Sequence, residues 1–169
     1  MSRLLTIDKQ EVNVACIACA ISSKELKVFG DMITETKHFH AAHDIECPIP
    51  GMIIIGSKRH VRSVAEFGPS ERADLTDVIH DIRTAMQYKL EIKNVTIVQE
   101  EGSENSHFHL WLFPWHDWMK KIGTRLPAIP DIMKQATLEH HTDENKAREN
   151  LAMIQDWSDK LRTYFDSVE

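Results

Sequence analysis

Apolar positions along this chain follow a short period first, a helical period next, the short period again, and finally a long helical one. Residues 12–20, "VNVACIACA", form an apolar entry segment around two cysteines. "LKVFGDMIT" (26–34) reads as a strand with a turn at Gly30-Asp31, and "HFHAAHDIE" (38–46) as another of weaker propensity. After the turn "CPIPG" comes "MIIIGS" (52–57), a continuous β-branched run of the kind found in strands buried on both faces. From Pro69 the period changes. Leu75, Val78, Ile79, Ile82 and Met86 recur at intervals of three and four, which predicts a helix over about 69–90, N-capped by Ser70 with Asp74 near its first turn. "NVTIVQEE" and "HFHLWLFP" (107–114) follow as two strands, so the domain is an antiparallel α+β one. Residues 115–130, punctuated by tryptophan, glycine and two prolines, read as a linker. Beyond it Ile132, Met133, Ala136, Ala147, Leu151, Ile154, Leu161 and Phe165 mark a helical extension. The expected organisation is therefore a domain over 1–114, with 115–169 as linker and C-terminal helical extension of the same domain.

Composition narrows the function classes. Of 169 residues, 42% are apolar and 27% charged, the balance of a soluble globular chain. No stretch approaches the ~18 uninterrupted apolar residues of a spanning helix, and the first residues are too polar for a secretory signal. A cytoplasmic location and no membrane partner are expected. The net charge of −6 disfavours a nucleic-acid partner, which needs a basic face, but leaves room for a small anionic ligand. Three cysteines do not make a disulfide framework. Two of them, Cys16 and Cys19 in "CIAC", have a spacing that suits a metal or a redox pair.

In "ENSHFHLWLFPW" (104–115) strand alternation places His107, His109, Trp111 and Phe113 on one face, and Phe108, Leu110 and Leu112 on the other. The second set is a clean core face; the first is polar at its start and aromatic at its end. A second stretch, 41–61, carries His43-Asp44-Ile45, a Pro48–Gly51 turn, the apolar Met52–Ile55 run and Lys58-Arg59-His60-Val61. Together the two stretches resemble the histidine-triad (HIT) superfamily of nucleotide hydrolases and transferases. The order and spacing of elements agree over residues 16 to 114. Two departures stand out. Trp111 occupies the place of the third histidine of His-x-His-x-His, and "GSENS" is shorter than the family's phosphate-binding Gly-Gln-Ser loop and lacks its glutamine.

The resemblance implies a fold: an antiparallel sheet of about five strands, one main packed helix, and here a C-terminal helical extension. It also implies roles. His109 matches the nucleophile, which attacks the α-phosphorus of a nucleotide and forms a nucleotidyl-histidine. Asp44 matches the acidic residue that accepts from the ribose hydroxyls, although an Asp before a turn also caps it. His43 lies by analogy close to the ribose site. Ser103, Asn105 and Ser106 would supply donors to the phosphate, and Trp111 one wall of the pocket. His60 and His107 have two readings. They either line the phosphate site or complete, with Cys16 and Cys19, the Cys₂His₂ set of one structural zinc ion. Lys58, Arg59 and Arg62 read as solvated charges, and His38, His40 and His116 as ordinary polar residues.

The function implied is a nucleotidyl hydrolase or transferase, with a small nucleotide as ligand and a homodimer as assembly. Its substrates would be dinucleoside polyphosphates (diadenosine polyphosphates among them), nucleotide sugars or nucleoside phosphoramidates. A regulatory nucleotide-binding protein without turnover, and a zinc-stapled interaction module, are the alternatives. The C-terminal helices either cover the site or extend the dimer.

Overall fold

The computed structural model describes residues 2–102 and 106–167. In chain order the elements are β1 (Ser2–Leu5), β2 (Glu11–Val14), α1 (Ile17–Ser22), β3 (Met32–Glu35), β4 (Phe39–His43), β5 (Ile53–Ser57), α2 (Pro69–Lys89), β6 (Val95–Gln99), β7 (His109–Pro114), α3 (Ile129–Thr142) and α4 (Glu144–Asp166). Five strands form one antiparallel sheet in the order β3-β4-β5-β7-β6, and β1 pairs with β2 in a separate hairpin. Among the described residues, no helix is long and apolar enough to cross a membrane.

The apolar run at 52–57 becomes β5 because only a central strand can use side chains on both faces. Ile53 and Ile55 point, with Phe39, Ala41, Leu110 and Leu112, into the main core against Leu75, Val78, Ile82 and Met86 of α2 and Leu161 of α4. Ile54 points the other way, toward a second cluster of Phe113, Met119, Ile129, Ile132 and Ala136. The two C-terminal helices therefore go to opposite faces of the sheet, α4 beside α2 and α3 across from them. The segment between β7 and α3, expected as a linker, is packed: it forms short 3₁₀ turns at Asp117–Lys121 and Leu126–Ala128, and Met119 is fully buried.

Two local expectations need correction. The strand expected over 26–34 is confined to Met32–Glu35, because Gly30 and Asp31 both take positive φ (82° and 60°) and turn the chain there. The helix is capped by Gly68, not Ser70. Pro69, with no N–H to satisfy, starts it, and the Glu71 carboxylate reaches back to the Gly68 N–H at 2.8 Å. Arg59, exposed as expected of a solvated charge, also clamps that same carboxylate with Nε and Nη2, both at 2.9 Å. Lys58 likewise bonds the Thr36 carbonyl and pairs with Glu35 at 3.0 Å.

The Arg59 guanidinium and the Gly68 N–H hold the Glu71 carboxyl down at about 2, from an ordinary 4.5. Its stabilisation is thus present above the ordinary carboxylate range and lost as pH falls through about 2. Glu71→Gln should be less stable than the wild type at pH 7, and urea midpoints of the two should converge as pH falls from 4.5 toward 2. A gap that stays constant over that window would show that the clamp is not the source.

Candidate functional site

Cys16 is the N-cap of α1 and Cys19 sits three residues on, so both thiols leave the same side of one helical turn. His60 follows β5 and His107 precedes β7. The four ligand atoms converge within 4.8 Å of one another. Cys16 Sγ lies 3.3 Å from His107 Nδ1, while Cys19 Sγ lies 3.2 Å from His60 Nδ1 and 3.4 Å from His107 Nδ1. A tetrahedral zinc with bonds of about 2.3 Å to sulfur and 2.0–2.1 Å to nitrogen separates its ligands by about 3.5 Å, so the spacing fits. The tautomer fits too. His107 Nε2–H donates to the Ser57 carbonyl at 2.7 Å, which leaves the Nδ1 lone pair aimed at the cysteines, as an outer hydrogen bond does for a ligating histidine. Without a cation, burial and the neighbouring Cys16 push the Cys19 thiol up to about 11, so a metal would have to displace its proton.

Sequence alternation puts His107 and His109 on one strand face; the fold separates them. β7 begins only at His109, and the buried His107 turns off to the cysteines. The site face of the sheet is made by alternate residues of three strands. One row across it is His40–Gly56–His109 and the next is Ala42–Ile54–Trp111, each set by strand register. Above this floor lies a cavity of about 550 Å³, walled by Ile17, Ala18 and Ile21 of α1, the loop from Asp44, and Met133, Thr137 and His141 of α3. Within it, His109 Nδ1–H donates to the His107 carbonyl at 3.0 Å, an arrangement in which the neutral ring has its lone pair on Nε2. Trp111 lies beside it, ring centroids 6.2 Å apart, between Ile54 and Val98 on the neighbouring strands.

Asp44 performs the turn-capping role the sequence allows: Oδ1 accepts from the N–H groups of Glu46 (2.7 Å) and Cys47 (3.0 Å). Only one oxygen is drawn into the turn, and the residue still lines the cavity. His43 is buried, its two ring nitrogens within hydrogen-bond distance of the Asp44 (2.7 Å) and Ile49 (2.8 Å) carbonyls. Its side chain shapes the loop that carries Asp44. Ser106 lines the cavity, whereas Ser103 and Asn105 lie outside the described residues.

One contributor escapes a reading of the sequence. His40, expected as an ordinary polar residue, is buried; His116, expected likewise, is half-buried away from the cavity lining, its Nε2 donating to the Pro50 carbonyl at 2.8 Å. His40 lines the cavity. Burial holds its imidazole down at about 4, with the charge of His107 adding to the effect. The alternation of "HFHAAHDIE" was the available signal, since it sets His40 and Ala42 on one face. The α3 wall had no local signal at all.

No curated protein matches the chain in sequence. Among solved structures, a zinc-bound histidine triad family protein from Mycobacterium smegmatis is similar at TM-score 0.57 and 21% identity, over 91% of this chain and 97% of that one. A histidine triad nucleotide-binding protein from Sulfolobus tokodaii gives 0.55 and 17%, over 86% and 93%. A Hit-like protein from Bartonella henselae, described as involved in cell-cycle regulation, gives 0.55 and 14%, over 84% and 95%. These likenesses concern the fold. The HIT domain model matches residues 26–117, more than half of the chain, from the approach to β3 through the end of β7. The chain belongs to the HIT domain family.

Proposed function

We propose that this protein is a nucleotidyl hydrolase or transferase acting at the α-phosphate of a nucleotide, with His109 as nucleophile. The observation that carries the reading is the hydrogen bond from His109 Nδ1–H to the His107 carbonyl, which leaves an unprotonated Nε2 on a residue of the cavity floor. In the first step the Nε2 lone pair forms an N–P bond while the bond from phosphorus to the leaving group breaks, and the leaving group departs with the electron pair and takes a proton from solvent. In the second, a water or another acceptor attacks phosphorus and gives up its proton to solvent, the N–P bond breaks, and its electrons return to Nε2. Two low barriers replace one high one. The free oxygen of Asp44 is the acceptor for ribose hydroxyls, Ser106 a donor to phosphate, and the half-buried Trp111 a wall.

Cys16, Cys19, His60 and His107 would hold one zinc ion, whose chemistry here is structural, since four protein ligands leave no open position. His60 and His107 are then scaffolding for His109. We place the protein in the cytoplasm as a homodimer. Supporting a dimer, β6 ends the sheet, and Ile97 on it is 48% exposed. Sedimentation equilibrium should give twice the chain mass; a monomer at high concentration would refute this part.

The direct test offers the protein a diadenosine polyphosphate, a nucleotide sugar and an adenosine phosphoramidate, with release of the nucleoside monophosphate as readout. Product from at least one is expected. Tight binding without product from any would instead favour the regulatory reading, for which the loss of the third histidine is the supporting observation. Trp111→His separates these further: with His109 working, turnover is expected to be kept or raised, because the substitution adds a polar neighbour on the same face.

A further inference from the structure

The row His40–Gly56–His109 crosses three adjacent strands, and its middle member has no side chain. A glycine inside a central strand costs stability and marks a close approach. What approaches is His40. A β-carbon on residue 56 would stand 2.7 Å from His40 Nε2 and 2.9 Å from its Cε1. The imidazole of His40 therefore lies over Gly56, leaning from β4 toward β7, and its outer nitrogen comes within about one strand spacing (~4.8 Å) of the His109 column. Its inner nitrogen is fixed: Nδ1 sits 3.1 Å from the Ser22 hydroxyl on α1. With that hydroxyl donating to Nδ1, Nε2 carries the proton and presents an N–H on the cavity floor.

The cavity floor thus holds an imidazole in the same row as His109, supplied sideways from β4 rather than along β7. We infer that His40 is a phosphate-contacting residue, its Nε2–H donating to a non-bridging oxygen of the α-phosphate held at His109, and that Gly56 exists to make room for it. The inference rests on the proposed nucleotide site and assigns to that site a donor that stands in for the polar neighbour Trp111 cannot be. Ser22 orients the ring, and the bare Gly56 lets it reach past the strand between.

The experiment compares a nucleoside monophosphate with its own nucleoside. Whichever of AMP, GMP, CMP and UMP binds the wild type most tightly is titrated by calorimetry alongside the matching nucleoside. His40→Leu should weaken the monophosphate about 10–100-fold, the scale of one hydrogen bond to a charged group, and leave the nucleoside unchanged. His40→Gln, which keeps an N–H at similar reach, should recover most of that loss. Gly56→Ala leaves His40 in the chain but displaces its ring, so it should produce the same selective loss, and should add nothing in the His40→Leu background. Circular dichroism and metal content serve as controls, and if His40→Leu does not fold, the Gln and Gly56 variants carry the comparison. Equal effects on monophosphate and nucleoside, or none on either, would overturn the role of His40 while the nucleotide site stands. A wild type that binds none of the four monophosphates would overturn the site and this inference together.

Discussion

Replacing His109 by alanine is expected to cut turnover by at least about 10³-fold while leaving nucleotide affinity nearly unchanged. The nucleophile acts only in the chemical step, so its loss belongs in kcat rather than in ground-state binding. The fold should tolerate the change. His109 is only half-buried, its ring hydrogen bond runs to a carbonyl two residues away, and the neighbouring core positions Leu110 and Leu112 face the opposite side. Release of nucleoside monophosphate, measured with calorimetric affinity for the same product, separates the two quantities. Full turnover in His109→Ala would remove the nucleophile assignment. An equal fall in affinity and rate would make His109 a binding residue.

The second large effect concerns the metal. Native mass spectrometry should find one zinc per chain, and Cys16→Ser should lose it. A free zinc concentration of about 1,000 times Kd stabilises by about 4.1 kcal/mol, and for a chain of this size each kcal/mol moves Tm by about 2–4 °C. The variant, or the wild type after chelation, should therefore melt about 8–16 °C lower. Cys16→Ser removes one ligand atom from a set spaced for a tetrahedron and leaves the rest of α1 intact, so the loss of heat stability should track the loss of metal. A metal-free protein that is fully folded, with Cys16 and Cys19 both open to alkylation, would reject the zinc.

The parts of the fold legible in the sequence are those whose pattern is decided by burial alone. The run at 52–57 could only be a central strand, and the repeat from Leu75 to Met86 only a helix against a sheet. Pattern failed where backbone geometry or distant packing decides. The β1–β2 hairpin is too short and polar for a period to show. Strand alternation gave His107 a place on the face of β7, yet the strand starts two residues later, because His107 is drawn to the Ser57 carbonyl and the cysteines. The four metal-binding candidates were legible through resemblance, and the structure brings their ligand atoms together. His40 was legible only as a residue sharing a face with Ala42: nothing in "HFHAAHDIE" reveals that the residue opposite it on β5 is a glycine.

The helix α1 is six residues long, and two demands meet on it. Cys16 and Cys19 belong to the Cys₂His₂ cluster that could hold a metal, and Ile17, Ala18 and Ile21 between and beside them wall the cavity. Metal and ligand would thus draw on one equilibrium, the docking of this short helix onto the sheet. Linkage makes such an arrangement reciprocal: whatever factor zinc adds to nucleotide affinity, nucleotide must add to zinc affinity. Metal supply would then set the working concentration range of the nucleotide site, and a filled site would slow the escape of zinc to competing chelators.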